Sequence, residues 1–299
     1  MEVYRSKICE IEASAEVRFK EMGNITEIMH QQHRNKTCYV KNIDQDHYQD
    51  LRSGEIKEKN HIENRQQDLN SVRSSLSRLR DLINTNVTDV SKCKWLTLTY
   101  KENMQDTKRL YIDFKNFIKR VRYKLGKFEY IVCMEPQERG AWHCHTIMIF
   151  PNQVGFIDNK IFADLWSFGY TKTKKLDDID NVGAYLTAYL GDMELTRDNK
   201  DLVFKDKSNL KSVKSEGKTK KIIKGARLSF YPPKFNLYRC SRGCKKPEIN
   251  YIKEFEAQKK VRGATLTYQN ALEIRDDQTG FRNIISYRYY NTSKSKNKE

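Results

Sequence analysis

The sequence predicts an α+β fold, a central antiparallel β-sheet flanked by helices and preceded by a helical N-terminal region. Three observations carry that prediction. Between about Lys94 and Gly191, short stretches rich in β-formers alternate with stretches of helical apolar spacing. Two of the strand-like stretches are joined by a short Gly-containing turn, the signature of an antiparallel hairpin. The resulting order, β-α-β-β-α-β-α, sets helices on one face of an antiparallel sheet.

Residues 1–90 are polar and mostly helical in pattern. From Asp68 to Asn84, Leu69, Val72, Leu76, Leu79, Leu82 and Ile83 recur at three- and four-residue steps, a helix with one apolar stripe. Residues 91–204 hold the sheet. Trp95 to Tyr100 is the first strand. Asp106 to Lys124 is a helix striped by Leu110, Phe114, Phe117, Ile118 and Val121. Phe128 to Met134 and His143 to Phe150 form the hairpin. Asp158 to Trp166 is helical, Gly169 to Lys175 is extended and Asp177 to Leu190 is helical again. Residues 205–224 carry eight lysines and read as an exposed loop. A basic extension (225–290) and a polar tail (291–299) follow.

Charge narrows the function. Among 299 residues, 56 Lys and Arg face 39 Asp and Glu, a net charge of +17. Such an excess implies an anionic partner, nucleic acid first and an anionic membrane surface second. No apolar run approaches the ~18 residues of a spanning helix. Nor do the first residues hold the apolar core of a signal peptide, so the expectation is a soluble, cytoplasmic protein with no membrane partner. The seven cysteines are scattered, and Cys240 with Cys244 lack a second pair at zinc-finger spacing.

The strongest chemical signal is Trp142-His143-Cys144-His145. Residues two apart on a strand share a face, so His143 and His145 project together, with Ile147 and Ile149 continuing that face. Glu135 ends the preceding strand and returns beside His143 in a hairpin. Two imidazoles and one carboxylate make a metal site with open positions, and the hard oxygen suits Mg²⁺ or Mn²⁺ as well as softer metals. Glu138 is an alternative ligand. A second signal is Asn181 to Leu190, where Tyr185 and Tyr189 are four apart and adjacent on one helix face.

Together, Trp95 to Tyr100, Glu135 to His145, Leu165-Trp166 with Gly169, and the tyrosine helix resemble the HUH endonuclease superfamily. Within it they resemble the rolling-circle replication initiators of small plasmids and phages. The resemblance covers about Lys92 to Gly191 and implies a metal-dependent DNA nickase. A tyrosine attacks the scissile phosphorus, leaving a 5′-phosphotyrosine and a 3′-OH that primes synthesis. By this matching Tyr185 is the first nucleophile, and Tyr189 is the second or a positioning residue. Many relatives carry a lysine three residues after the first tyrosine, and here that position is Ala188.

For single-stranded or origin DNA, the expected contacts are Arg139 to phosphate, Trp142 stacked on an unpaired base, and a patch of Arg239, Arg242 and Lys245. The Arg239 to Gly243 segment is similar to a late motif of some such initiators. No P-loop motif is present, so unwinding would fall to a host helicase. The alternatives are a relaxase or single-strand transposase of the same superfamily, and a DNA-binding regulator without catalysis.

Overall fold

Where a helical N-terminal region is expected, the chain forms strands. The structure, a computed structural model, describes residues 2–6, 10–34, 38–137, 139–174, 176, 190–196, 199–203, 207, 209–215 and 218–295. The first strands are β1 (Glu2–Ser6), β2 (Glu16–Met22), β3 (Ile25–Gln31), β4 (Val40–Asn42), β5 (His47–Asp50) and β6 (Ile56–Glu58). Next come α1 (Leu69–Asn86), β7 (Cys93–Thr99), α2 (Thr107–Leu125), β8 (Glu129–Pro136), β9 (Trp142–Ile149), α3 (Asn159–Trp166) and β10 (Thr171–Lys174). The remainder comprises β11 (Met193–Glu194), β12 (Leu210–Ser215), β13 (Lys218–Ile223), β14 (Tyr238–Cys240), β15 (Glu248–Lys253), α4 (Glu254–Lys260), β16 (Ala264–Asp276) and β17 (Phe281–Ser295).

Two compact units result, one from Met1–His61 with Lys246–Glu299 and one from Ile62–Lys245. The first holds a six-stranded antiparallel sheet, ordered β1-β16-β17-β3-β2-β15, and a small β4-β5-β6 sheet. Its local cause is a period of two: Val17 and Phe19 are buried while Arg18 points to the opposite face. Gly23, at φ 58°, supplies the left-handed residue of the tight Gly-Asn turn between β2 and β3. Helix α4 covers one face, packing Ala257 and Val261 with Val17, Phe19 and Ile28. Glu27 is 1 % exposed. It is bonded by Arg18 at 2.6 Å and Tyr289 Oη at 2.5 Å, with Lys20 Nζ at 3.3 Å.

The second unit follows the expected β-α-β-β-α-β order through β10. Its five strands pair in the order β10-β7-β9-β8-β14, all antiparallel. Asp106 caps α2 by accepting from the backbone N–H of Lys108 and Arg109. The α2 stripe packs with Phe162 and Trp166 of α3 on Leu96, Leu98, Val132, Cys144 and Met148. Helices cover both faces, not one. On the opposite side, Leu79, Leu82 and Ile83 of α1 pack with Trp95, Ile131, Cys133 and Ile147. Strands with apolar residues on both faces need two covers, and α1 is the second.

Two further stretches read as irregular are ordered as strands. Within the lysine-rich segment, β12 and β13 pair as a hairpin, and β11 adds to β13. Strand β17 runs into the polar tail as far as Ser295. Gly169 marks a close crossing after α3. A Cβ there would sit 2.4 Å from Thr99 O and 2.5 Å from Lys101 N. Among the described residues, no helix is long and apolar enough to cross a membrane.

Candidate metal centre

The hairpin expected from the sequence forms with the register the chemistry needs. Strand β8 pairs with β9 so that Glu135 lies opposite His143 and Cys133 opposite His145. On the other side of β9, Thr97 of β7 lies opposite His145. Alternation therefore puts Glu135, His143, His145 and Thr97 on one face of the sheet, the face that α1 partly covers.

The three candidate ligands converge. One ligand atom from each lies within 4.8 Å of the others. Both imidazoles turn Nε2 toward Glu135 Oε1, His143 in a short contact and His145 at 2.9 Å. The two rings are 4.6 Å apart. The carboxylate is nearly sealed, with its side chain 3 % exposed, while the imidazoles stand at 13 % and 12 %. Glu135 thus forms the floor of the site and the histidines its rim.

The donor set fits a divalent cation. Glu135 Oε2 and His143 Nδ1 are buried with no hydrogen-bond partner among the described residues. Buried orphans of this kind are rare and mark unmet ligation or strain. Thr97 Oγ1 lies 3.2 Å from His145 Nδ1. With a metal bound, an Nδ1–H donating to that hydroxyl would leave Nε2 free to ligate. Burial pushes the His143 pKa below the ordinary imidazole value, so the neutral, ligating form prevails near pH 7. Burial alone would raise the Glu135 pKa. The neighbouring His145 and His143, with Arg227, outweigh it and hold the carboxyl well below its ordinary range.

Arg227 has no counterpart in the sequence reading. It follows β13, and its Nη1 donates to Pro136 O at 2.9 Å while Nε donates to Asp192 O at 3.3 Å. Its Nε stands 3.8 Å from Glu135 Oε2. Arg227 lines a cavity of about 440 Å³ together with His143, Arg139, Gln137 and Thr196. Arg139, expected to contact phosphate, lines the same cavity, with its Nη2 donating to Tyr100 O at 2.9 Å. Two guanidinium groups beside a metal-type ligand set make the cavity suited to a phosphate.

Other expected site residues lie elsewhere. Trp142 is a correction: it is 3 % exposed, its ring stacks on Phe235 at 4.5 Å, and its Nε1 donates to Gln105 O. It belongs to the α2-side core, because strand alternation turns it away from its neighbour His143. Arg239, Arg242 and Lys245 are exposed on β14 and the turn beyond it, not beside the ligands. Tyr185, Tyr189 and Glu138 lie outside the described residues.

Residues 93–194 match the family model of the ORF2-type replication-associated proteins. That span starts at β7 and takes in both ligand strands. The match is consistent with a replication initiator and with DNA as the partner. No curated protein matches the chain, and no solved structure does.

Proposed function

We propose that this protein initiates rolling-circle replication by nicking one DNA strand through a metal-dependent tyrosine transesterification. The observation that carries the proposal is the convergence of Glu135, His143 and His145 beside a cavity lined by Arg139 and Arg227. The replication-associated match over the same strands supports it.

A divalent cation, Mg²⁺ or Mn²⁺, held by Glu135, His143 and His145 would polarise the scissile phosphate as a Lewis acid. Arg139 and Arg227 hold that phosphate's oxygens and offset charge as it builds. Thr97 holds the His145 ring in its ligating tautomer. The nucleophile is Tyr185, with Tyr189 as the second. A phenol oxygen bonds to phosphorus, its proton leaves to solvent, and the P–O3′ bond breaks. The 3′ oxygen takes a proton and becomes the primer hydroxyl. Support for this placement comes from the flanks. Leu176 and Leu190, on either side of the tyrosine segment, both pack in the α1-side cluster, on the ligand face of the sheet.

The test is a denaturing gel of protein incubated with Mn²⁺ and a random single-stranded DNA library. A covalent band lost in Tyr185→Phe and in His143→Ala is the expected result. Loss in Tyr189→Phe alone reverses the two tyrosines. No band with any DNA or metal, despite tight DNA binding, would replace the nickase with a non-catalytic regulator.

A further inference from the structure

A second cavity, about 1040 Å³, lies between α2 and the edge strand β14. It opens on the α2 side of the sheet, away from the ligand face, because Arg239 pairs with Val132 and shares its side. Its lining combines Lys115, Lys127, Arg239 and Arg242 with Tyr111 and Tyr130. The acidic group in the lining is Glu129, and Arg122 stands 4.0 Å from it. The other four cations have no acidic partner among the described residues, which leaves the groove strongly positive.

The aromatic groups are arranged as a platform. The Arg239 guanidinium lies 3.7 Å from the centre of the Tyr111 ring. Tyr111 in turn stacks with Phe235, tilted 14°, and Phe235 stacks with Trp142, tilted 23°. This row of planes starts in the core and ends at the surface with an exposed guanidinium. A flat cation backed by a rigid aromatic row is a surface on which an unpaired base can stack. The surrounding lysines match the spacing-tolerant demands of a flexible phosphate backbone.

We infer that this groove binds single-stranded DNA flanking the nick, with a base on Arg239 and phosphates on Lys115, Lys127 and Arg242. The inference rests on DNA being the substrate of the ligand face, but not on cleavage. Val132 is three residues along β8 from Glu135, roughly 10 Å. Because the groove is on the opposite face, a strand leaving the metal centre would have to round the β14 edge to reach it.

The test measures anisotropy of a fluorescein-labelled oligo-dT of about 20 nucleotides, in EDTA, with the full-length chain. Arg239→Ala is expected to weaken binding about tenfold. Arg239→Lys keeps the charge and loses the plane, and should recover only part of the loss. Lys119→Ala, an exposed lysine of α2 outside the groove, serves as the control and should bind as wild type. Wild-type affinity in both Arg239→Ala and Lys127→Ala would overturn the inference. So would an equal loss for duplex DNA, or competition by polyglutamate matching that of unlabelled oligo-dT. Cleavage is scored separately with Mn²⁺. Groove variants that lose binding while no protein forms a covalent band would sink the nickase and leave the groove standing.

Discussion

Glu135→Gln keeps the shape of the side chain and removes its charge. Without metal, the amide oxygen still sits against both imidazoles that face Oε1 and accepts from His145, and Arg227 keeps its bonds to Pro136 O and Asp192 O. The metal-free protein should even so lose about 3–5 kcal/mol, because the buried charge that His145, His143 and Arg227 hold ionised is gone. With metal there is a second effect. Loss of an outer-shell partner weakens metal binding about 10- to 100-fold, so loss of the one anionic ligand should do at least that, or ~1.4–2.8 kcal/mol. Wild type held at Mn²⁺ about 100-fold above its Kd gains ~2.7 kcal/mol, or roughly 5–10 °C in Tm for a unit of this size. The variant at the same concentration keeps about 0.4–1.4 kcal/mol of that, roughly 1–5 °C. The assay is thermal unfolding of both proteins in EDTA and in Mn²⁺. An equal Mn²⁺ shift in Glu135→Gln and wild type would refute the ligand assignment, and so would the absence of any shift in wild type.

Arg227→Ala should leave the Mn²⁺ shift in Tm nearly intact and raise the DNA concentration for half-maximal adduct about tenfold, with Arg227→Lys intermediate; an unchanged titration removes Arg227 from phosphate binding. Gly169→Ala forces a methyl within 2.4 Å of Thr99 O and should lower stability by ~2–3 kcal/mol, read as a fall in urea midpoint. Burial opposes ionisation of Glu27, but Lys20, Tyr289 and Arg18 together hold its pKa below the ordinary 4.5. Its stabilisation is thus present above pH 4.5 and disappears as pH falls toward the folded value. Glu27→Gln should cost ~3 kcal/mol at pH 7 and flatten that acid limb; an acid limb as steep as wild type would count against it. Finally, Ellman's reagent at pH 8 should modify the exposed Cys240 and spare Cys133, Cys144 and Cys93 until the protein is unfolded. Burial pushes the Cys93 thiol up to about 12 and raises the other two.

The candidate ligand set, which does converge, was legible because its geometry is local. Glu135 and His143 are eight positions apart, and a hairpin needs nothing else to bring them together. The α2 stripe was legible for the same reason. The N-terminal strands were not. β2 and β3 carry Arg18, Lys20, Glu21 and Glu27 among their apolar residues, and Arg18 and Lys20 pair with Glu27 across the strands. A mixture of charge and apolar residues reads as a solvated helix until the pairing is known. Their outer partners, β17 beside β3 and β15 beside β2, come from the far end of the chain, and no local period encodes that. Arg227 had no signal either, sitting after a lysine-rich stretch far from the ligands. Trp142 shows the limit of reading a residue by its neighbour, because adjacent strand positions face opposite ways.

The tight hairpin has a consequence for how the molecule is assembled. All three candidate ligands come from two strands joined by residues 137–141, whose ends are tied by a bond from Gln137 N to Ala141 O. Hairpins close in roughly 1–10 μs, long before distant segments meet. The edge strand β14 joins β8 across about a hundred residues of chain, and contacts of that span form late. The ligand triad can therefore exist in a partly folded chain whose sheet is still open at the β14 edge. A cation present during synthesis would find its seat early and act as a clamp on the two strands around which the rest of the unit is laid down.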